Sequence, residues 1–227
     1  MKERSLFFLV PTPLGNLEDI TLRAIRVLRE VDLILAEDTR NTSVILRHYS
    51  IRNRLKSFHA FNEHRVVSEI IDELKKGHRI ALVTDAGTPG ISDPGYLLVK
   101  ACIENHIPYE CLPGPSALIP ALVVSGLPSD SFVFFGFLPV KKGRNKMLDE
   151  IAEESRTMIF YESPHKIIKT ISDFTRTFGG NRHVSIVREL SKLHEEVING
   201  NLESIGKHFE VHPPKGELVI VLAGRGR

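Results

Sequence analysis

Residues 79–95 read Arg79-Ile-Ala-Leu-Val-Thr-Asp-Ala-Gly-Thr-Pro-Gly-Ile-Ser-Asp-Pro-Gly95. The opening run, Arg79–Thr84, is short, apolar and β-branched, the character of a buried strand. The 12 residues from Thr84 to Gly95 hold three glycines, two prolines and two aspartates, more than a plain strand-to-helix turn needs. From Tyr96 to Asn105 the pattern becomes helical. Strand, long Gly/Pro loop and helix form the repeating unit of open α/β sheets, which bind ligands beyond the carboxyl ends of their strands.

Outward from this stretch the alternation continues in both directions. Leu6–Val10, Leu33–Ala36, Arg54–Phe58 and Tyr109–Leu112 read as strands, and Thr21–Glu30, Arg40–Tyr49 and Glu63–Lys76 as helices. Val66, Val67, Ile70, Ile71 and Leu74 form one apolar stripe on the third helix, and Gly77 is placed to stop it. A helix is expected from the Pro115–Ser116 turn to Gly126. A second series follows, with strands near Phe132–Phe137, Thr157–Tyr161, Val184–Glu189, Glu196–Asn199 and Leu218–Ala223. Its helices lie near Lys146–Glu154, Lys166–Phe178 and Leu202–Phe209. The expectation is an α/β protein of two α/β domains, residues 1–115 and 116–227, with a linker-like segment at Leu127–Ser131.

Composition narrows the function classes. With 42% hydrophobic and 26% charged residues in 227, disorder is excluded as the main state. The longest apolar run, Ala117–Val124, contains Pro120 and falls well short of the roughly 18 residues that span a bilayer. No membrane partner is expected, and a cytoplasmic location is. Cys102 and Cys111 have no second pair, which excludes a four-cysteine zinc site and a disulfide framework and predicts two buried, reduced thiols. The net charge is +2: residues 1–126 hold 15 basic and 15 acidic side chains, residues 127–227 hold 15 and 13. A local run of Lys141, Lys142, Arg144 and Lys146 without acidic neighbours marks a basic loop.

Common nucleotide and hydrolase signatures are absent. Gly87, Gly90 and Gly95 do not have GxGxxG spacing, and there is no Walker A, zincin or GxSxG pattern. Three loops carry the chemistry instead: Pro11–Asn16, Thr84–Gly95 and Pro113–Ala117, each just beyond an expected strand. Glycine lets backbone approach a ligand and proline fixes the turn, which together make a rigid crevice lined by backbone. The same composition also suits plain turns.

Taken together, VPTPLGNLEDITLRA (10–24), AEDTR (36–40), DAGTPGISDPG (85–95), PGPSA (113–117), FYESPHK (160–166), VSIVREL (184–190) and KGELVIVLAG (215–224) resemble one family. It is the tetrapyrrole methylase superfamily, the class III S-adenosylmethionine-dependent methyltransferases, in its ribosomal RNA branch. The resemblance implies two α/β domains with the methyl donor in the cleft between them and a homodimeric assembly. It implies 2′-O-methylation of a cytidine ribose in the decoding region of 16S rRNA within the small ribosomal subunit. The cofactor is then S-adenosylmethionine, leaving S-adenosylhomocysteine, and no metal is called for.

Residue by residue, the resemblance assigns donor contacts to Leu14, Gly15, Asp85, Ala86, Gly87, Thr88, Ile91, Ser116 and Ala117. From the second domain it adds Tyr161, Glu162, Leu190, Gly216 and Leu218. Asp38, Glu162 and His165 are the catalytic candidates, and Arg40, Lys141, Lys142, Arg144, Lys146 and Arg188 the RNA-binding ones. Each has a structural alternative. Asp38 is placed to cap the helix that follows it, Asp85 to turn its own loop, and Ser163-Pro164 to start a helix around Glu162 and His165. The lysines also suit a solvated loop. Longer members of the family carry a further C-terminal helical segment, which puts RNA specificity on less secure ground than donor binding. Two other functions stay open. One is C-methylation of a tetrapyrrole, disfavoured because the first loop reads PTPLGN where such enzymes have a more glycine-rich loop. The other is a non-catalytic RNA-binding assembly factor.

Overall fold

Strands with two apolar faces need cover on both sides, and the first half of the chain supplies it. In a computed structural model, which describes residues 5–226, the chain divides after Ser116 into two compact units. The first holds β1 (Phe7–Leu9), β2 (Leu33–Ala36), β3 (Leu55–Ser57), β4 (Ile80–Val83) and β5 (Tyr109–Cys111), ordered β3-β2-β4-β1-β5. All four pairings are parallel. One face, with Phe8, Val10, Ile34, Ala36, Ala81 and Val83, meets Ala24, Val27 and Leu28 of α1 (Leu22–Glu30) and Ile45 and Leu46 of α2 (Thr39–His48). The other, with Phe7, Leu9, Leu35, Ile80 and Leu82, meets Val66, Ile70 and Leu74 of α3 (Glu63–Lys75) and Leu98 and Cys102 of α4 (Tyr96–Glu104). Central β4 is accordingly buried along its whole length, as a parallel strand covered on both faces must be.

This winding places the site. β1 and β4 are neighbours, but the chain leaves β1 for α1 on one face and β4 for α4 on the other. Between two strands whose connections diverge, the carboxyl edge of the sheet opens into a crevice. Thr21 starts α1 by accepting the Ala24 N–H at 3.0 Å. Gly77, at φ +90°, ends α3, and its N–H and that of His78 satisfy the carbonyls of Leu74 and Glu73. Cys102 is buried, which pushes its thiol up to about 12. Cys111 is exposed, against expectation. It lies on β5, an edge strand paired only with β1, which leaves Tyr109 and Cys111 facing outward.

The second unit has a mixed sheet of β6 (Phe132–Phe137), β7 (Thr157–Glu162), β8 (His183–Arg188), β9 (Glu196–Asn201) and β10 (Leu218–Leu222), ordered β6-β7-β10-β8-β9. Only β6 and β7 are parallel. Three helices, α6 (Arg144–Glu150), α7 (Ile167–Phe178) and α8 (Leu202–Val211), cover one face. They bury Leu148, Ile171, Phe174, Ile205 and Phe209 against Met158, Phe160, Ile186 and Ile220. On the opposite face α5 (Leu118–Val124) sets Ala121 and Leu122 against Ile159, Val187, Val219 and Val221. The architecture is α/β, with two sheets, as the sequence pattern predicts.

Candidate functional site

Three Gly/Pro loops leave adjacent strands β4, β1 and β5, and side chains and backbone tie them together. Thr12 and Gly87 exchange two backbone hydrogen bonds of 2.9 Å, joining the first loop to the second. Thr12 Oγ1 donates to the Thr84 carbonyl at 2.9 Å and is itself buried. Thr88 Oγ1 donates to the Pro115 carbonyl at 3.1 Å, joining the second loop to the third. Gly114 lies so close to Pro11 that a Cβ there would stand 2.7 Å from the proline Cβ. Gly87 takes φ +80°, and a Cβ on it would meet Leu14 Cδ2 at 3.5 Å and the Pro115 carbonyl at 3.9 Å. Bare backbone at Gly87 therefore faces both other loops. Leu14, Gly15, Asp85, Ala86, Gly87, Thr88, Ile91 and Ser116 all belong to this one edge of the first unit, while Ala117 opens the second.

Beside these loops lies a group of carboxylates at the ends of β2 and β4. The Asp85 N–H donates to Glu37 Oε2 at 3.4 Å, and the Asp38 N–H donates to Asp85 Oδ1 at 3.2 Å. Asp38 caps α2 by accepting the Arg40 N–H at 2.8 Å, and the Arg40 guanidinium binds the same carboxylate at 2.5 Å. Those bonds hold Asp38 down to about 2. Glu37 goes the other way. Burial raises it, and the charges of Asp85 and Asp38 add to the effect, outweighing the Asp85 N–H and His59, which act against it. Nδ1 of His59, just after β3, is buried without a hydrogen-bond partner among the described residues. Glu37 stands with Asp38, Thr39 and Arg40 in the segment that the sequence places after the second strand, although Asp38 is the residue singled out there. The signal of Glu37 is its position, first after β2 and facing the loop that follows β4.

In the second unit the structure corrects the reading of Arg144. Arg144 is no member of an open basic loop. It is the first residue of α6 and only 6% exposed. Its Nε binds Asp173 at 2.8 Å, its Nη2 donates to Thr170 Oγ1 at 2.8 Å, and its Nη1 donates to the Pro139 carbonyl at 3.2 Å. Glu162 is also buried and completes the same network, accepting from Thr170 Oγ1 at 2.5 Å and from the Ser163 N–H at 2.8 Å. Its carboxylate is committed to holding β7 against α7. His165 is exposed, its N–H turned to Ser163 Oγ at 3.3 Å in the turn that starts α7.

The remaining residues separate by role. Arg188 binds Glu196 at 2.9 Å and the Lys215 carbonyl at 3.4 Å, so its guanidinium is engaged within the fold. Leu218 is buried in the core under the helices, and Leu190 packs beside α5 on the other face. Gly216, at φ +86°, leaves room for the Glu189 carboxyl, which accepts the Glu217 N–H at 2.8 Å. Tyr161 packs edge-on against Phe134 and Phe137. Lys141, Lys142 and Lys146 are exposed, and Lys146 pairs with Glu150 at 3.8 Å.

A doubly wound sheet whose Gly/Pro loops are tied together at the strand ends defines an open α/β protein, the class that binds its ligands beyond the carboxyl ends of the strands. The family of tetrapyrrole (corrin/porphyrin) methylases matches residues 6–206. A Thermotoga maritima protein named "Ribosomal RNA small subunit methyltransferase I" is 48% identical over 217 residues, 96% of this chain and 97% of its own length. A Synechocystis protein of the same name is 46% identical, covering 96% of this chain and 79% of its own length. Among solved structures, uroporphyrin-III C-methyltransferase from Thermus thermophilus, complexed with S-adenosylhomocysteine, superimposes with a TM-score of 0.66. It is 18% identical and covers 96% of this chain and 97% of its own. The chain belongs to the tetrapyrrole methylase family of methyltransferases, in the group that carries the small-subunit ribosomal RNA name.

Three variants check the geometry. Arg144→Ala removes the buried cation beside Asp173, leaving it the outer Arg176, and takes a hydrogen bond from Thr170, and should lower the unfolding free energy by about 3 kcal/mol in a urea titration. Lys142→Ala, at an exposed site, should stay within about 0.5 kcal/mol of the parent. Gly114→Val should force the first and third loops apart and weaken S-adenosylhomocysteine binding, read by calorimetry, in a chain that still folds. Unchanged binding would separate those loops from the ligand site.

Proposed function

We propose that this chain transfers a methyl group from S-adenosylmethionine to the 2′-hydroxyl of a cytidine ribose in 16S rRNA of the small ribosomal subunit. The observation that carries the reading is its near full-length likeness, at 48% identity, to a protein named for that RNA. A homodimer working in the cytoplasm belongs to the same reading. No helix of the described residues is long and apolar enough to cross a membrane.

The loop edge of the first unit suits such a donor. Gly87 lets the three loops close on one another, Leu14 and Ile91 offer apolar cover, and the exposed Asp85 carboxylate opposes positive charge. When bound, the donor supplies a methyl group on a sulfonium, open to in-line attack by the ribose oxygen. The chain must align that oxygen and accept its proton. Asp38 is a weak acceptor, because Arg40 and the α2 N-terminus hold its negative charge. Glu37 takes the role instead. Its carboxylate is half-buried, raised by burial, and tied through Oε2 to the donor loop at Asp85. Arg40, exposed at the rim, is placed to meet backbone phosphate when it swings from Asp38.

The direct test incubates the protein with labelled S-adenosylmethionine and small subunits lacking the modification. Label recovered as 2′-O-methylcytidine supports the reading. No transfer, with S-adenosylhomocysteine still bound, refutes the substrate, and transfer to a uroporphyrinogen instead moves the acceptor to a tetrapyrrole. For the base, Glu37→Gln should slow single-turnover transfer by about 10²–10⁴-fold while donor affinity holds. In the parent, the rate should rise with pH through an acid limb displaced upward from the ordinary glutamate value, since Glu37 must be ionised to accept the proton. Asp38, ionised from about 2 upward, would give no such limb at those pH values. Glu37→Gln should flatten it.

A further inference from the structure

β6 carries an irregularity that changes what it shows to solvent. Phe134 pairs with Ile159, but the next registered pair is Gly136 with Phe160, so Phe135 is an extra residue on the bulged strand. Phe135 and Phe160 stack at 5.2 Å on the face covered by α6, α7 and α8. Strict alternation would send Phe137 to that same buried face. The bulge, at Gly136 with φ +63°, turns Phe137 to the opposite face, opposite Tyr161. Phe137 is there 56% exposed, with its ring edge-on to Tyr161 at 5.7 Å. Tyr161 in turn meets Phe134 at 4.9 Å.

The surroundings indicate what covers it. Val140 is 56% exposed. Lys141 and Lys142 follow immediately, exposed and in no ion pair among the described residues. The next residue but one, Arg144, is anchored to Asp173, Thr170 and the Pro139 carbonyl, which pins both ends of the segment that presents the lysines. An exposed aromatic ring beside unpaired cations on a fixed loop matches the chemistry of single-stranded nucleic acid, which offers a base face and a phosphate together. We infer that Phe137, supported by Tyr161 and Phe134, is a stacking platform for an unpaired base of the RNA acceptor, with Lys141 and Lys142 on the adjoining phosphates. The inference rests on the RNA reading of the preceding subsection and adds the element of RNA that is held.

The test uses the full chain and a fluorescein-labelled, 12-nucleotide, cytidine-rich single strand, read by anisotropy at several salt concentrations. Phe137→Ala should weaken binding about tenfold or more, and Phe137→Trp should stay within about threefold of the parent, because stacking needs a π face. Phe137→Leu should behave like alanine. Lys141→Ala with Lys142→Ala should lower the slope of log affinity against log salt by about 1.4, two phosphates' worth. Phe137→Ala should leave that slope unchanged. Equal binding by Phe137→Ala and the parent would overturn the platform, as would full rescue by leucine. No binding of the strand by the parent at low salt would also overturn it and leave the exposed ring to a protein partner. A parent that binds the strand through Phe137 yet methylates no small subunits would keep the platform and remove the proposed acceptor.

Discussion

The two hydrogen bonds between Thr12 and Gly87 fix the loop that follows β1 to the loop that follows β4. Those strands are neighbours whose chains leave to opposite faces of the sheet, so nothing else in the winding would hold the loops together. Buried Thr12 reinforces the tie through the Thr84 carbonyl, and Thr88 extends it to the third loop at Pro115. Glycine is required at the centre because φ +80° is costly for a residue with a Cβ, by about 1–2 kcal/mol. The surface of these loops is therefore backbone held by backbone. Side chains add cover and charge but do not set its shape.

A different constraint organises the second unit. The buried Arg144 guanidinium is surrounded by Asp173, Thr170 and the Pro139 carbonyl, and Thr170 hands a hydrogen to Glu162 at the end of β7. Charges this deep are tolerated only when paired and hydrogen-bonded. Each member is therefore held in place by the others, and the network fixes the start of α6, the middle of α7 and the end of β7 at once. Glu162, in the motif Tyr161-Glu-Ser-Pro-His165, thereby takes a structural part in joining β7 to α7.

The sequence disclosed what depends on local grammar. Strand and helix periods, the stop at Gly77, the cap at Asp38 and the three Gly/Pro loops could all be read from neighbours along the chain. What depends on partners distant in sequence could not. Lys141, Lys142, Arg144 and Lys146 form one charge run, and nothing within it says that Arg144 alone meets Asp173, 29 residues on. Cys111 reads as a strand thiol, and its exposure follows from β5 being the edge, a property of strand order. Phe137 is the clearest case. Two-residue alternation assigns it to the buried face, and a single extra residue at Phe135 reverses that side for everything after it.

Glu37 and Asp38 show how adjacent carboxylates are given opposite properties. They are consecutive in sequence and share the end of β2, yet the chain turns into α2 between them. Asp38 meets the helix N-terminus and the Arg40 guanidinium, both of which favour its charge. Glu37 faces back across the sheet toward Asp85, where burial and two neighbouring carboxylates oppose its charge. One peptide unit of difference in direction thus separates a cap held down to about 2 from a carboxylate with raised proton affinity. Proton acceptance calls for the second kind, and the turn from strand to helix is what produces it.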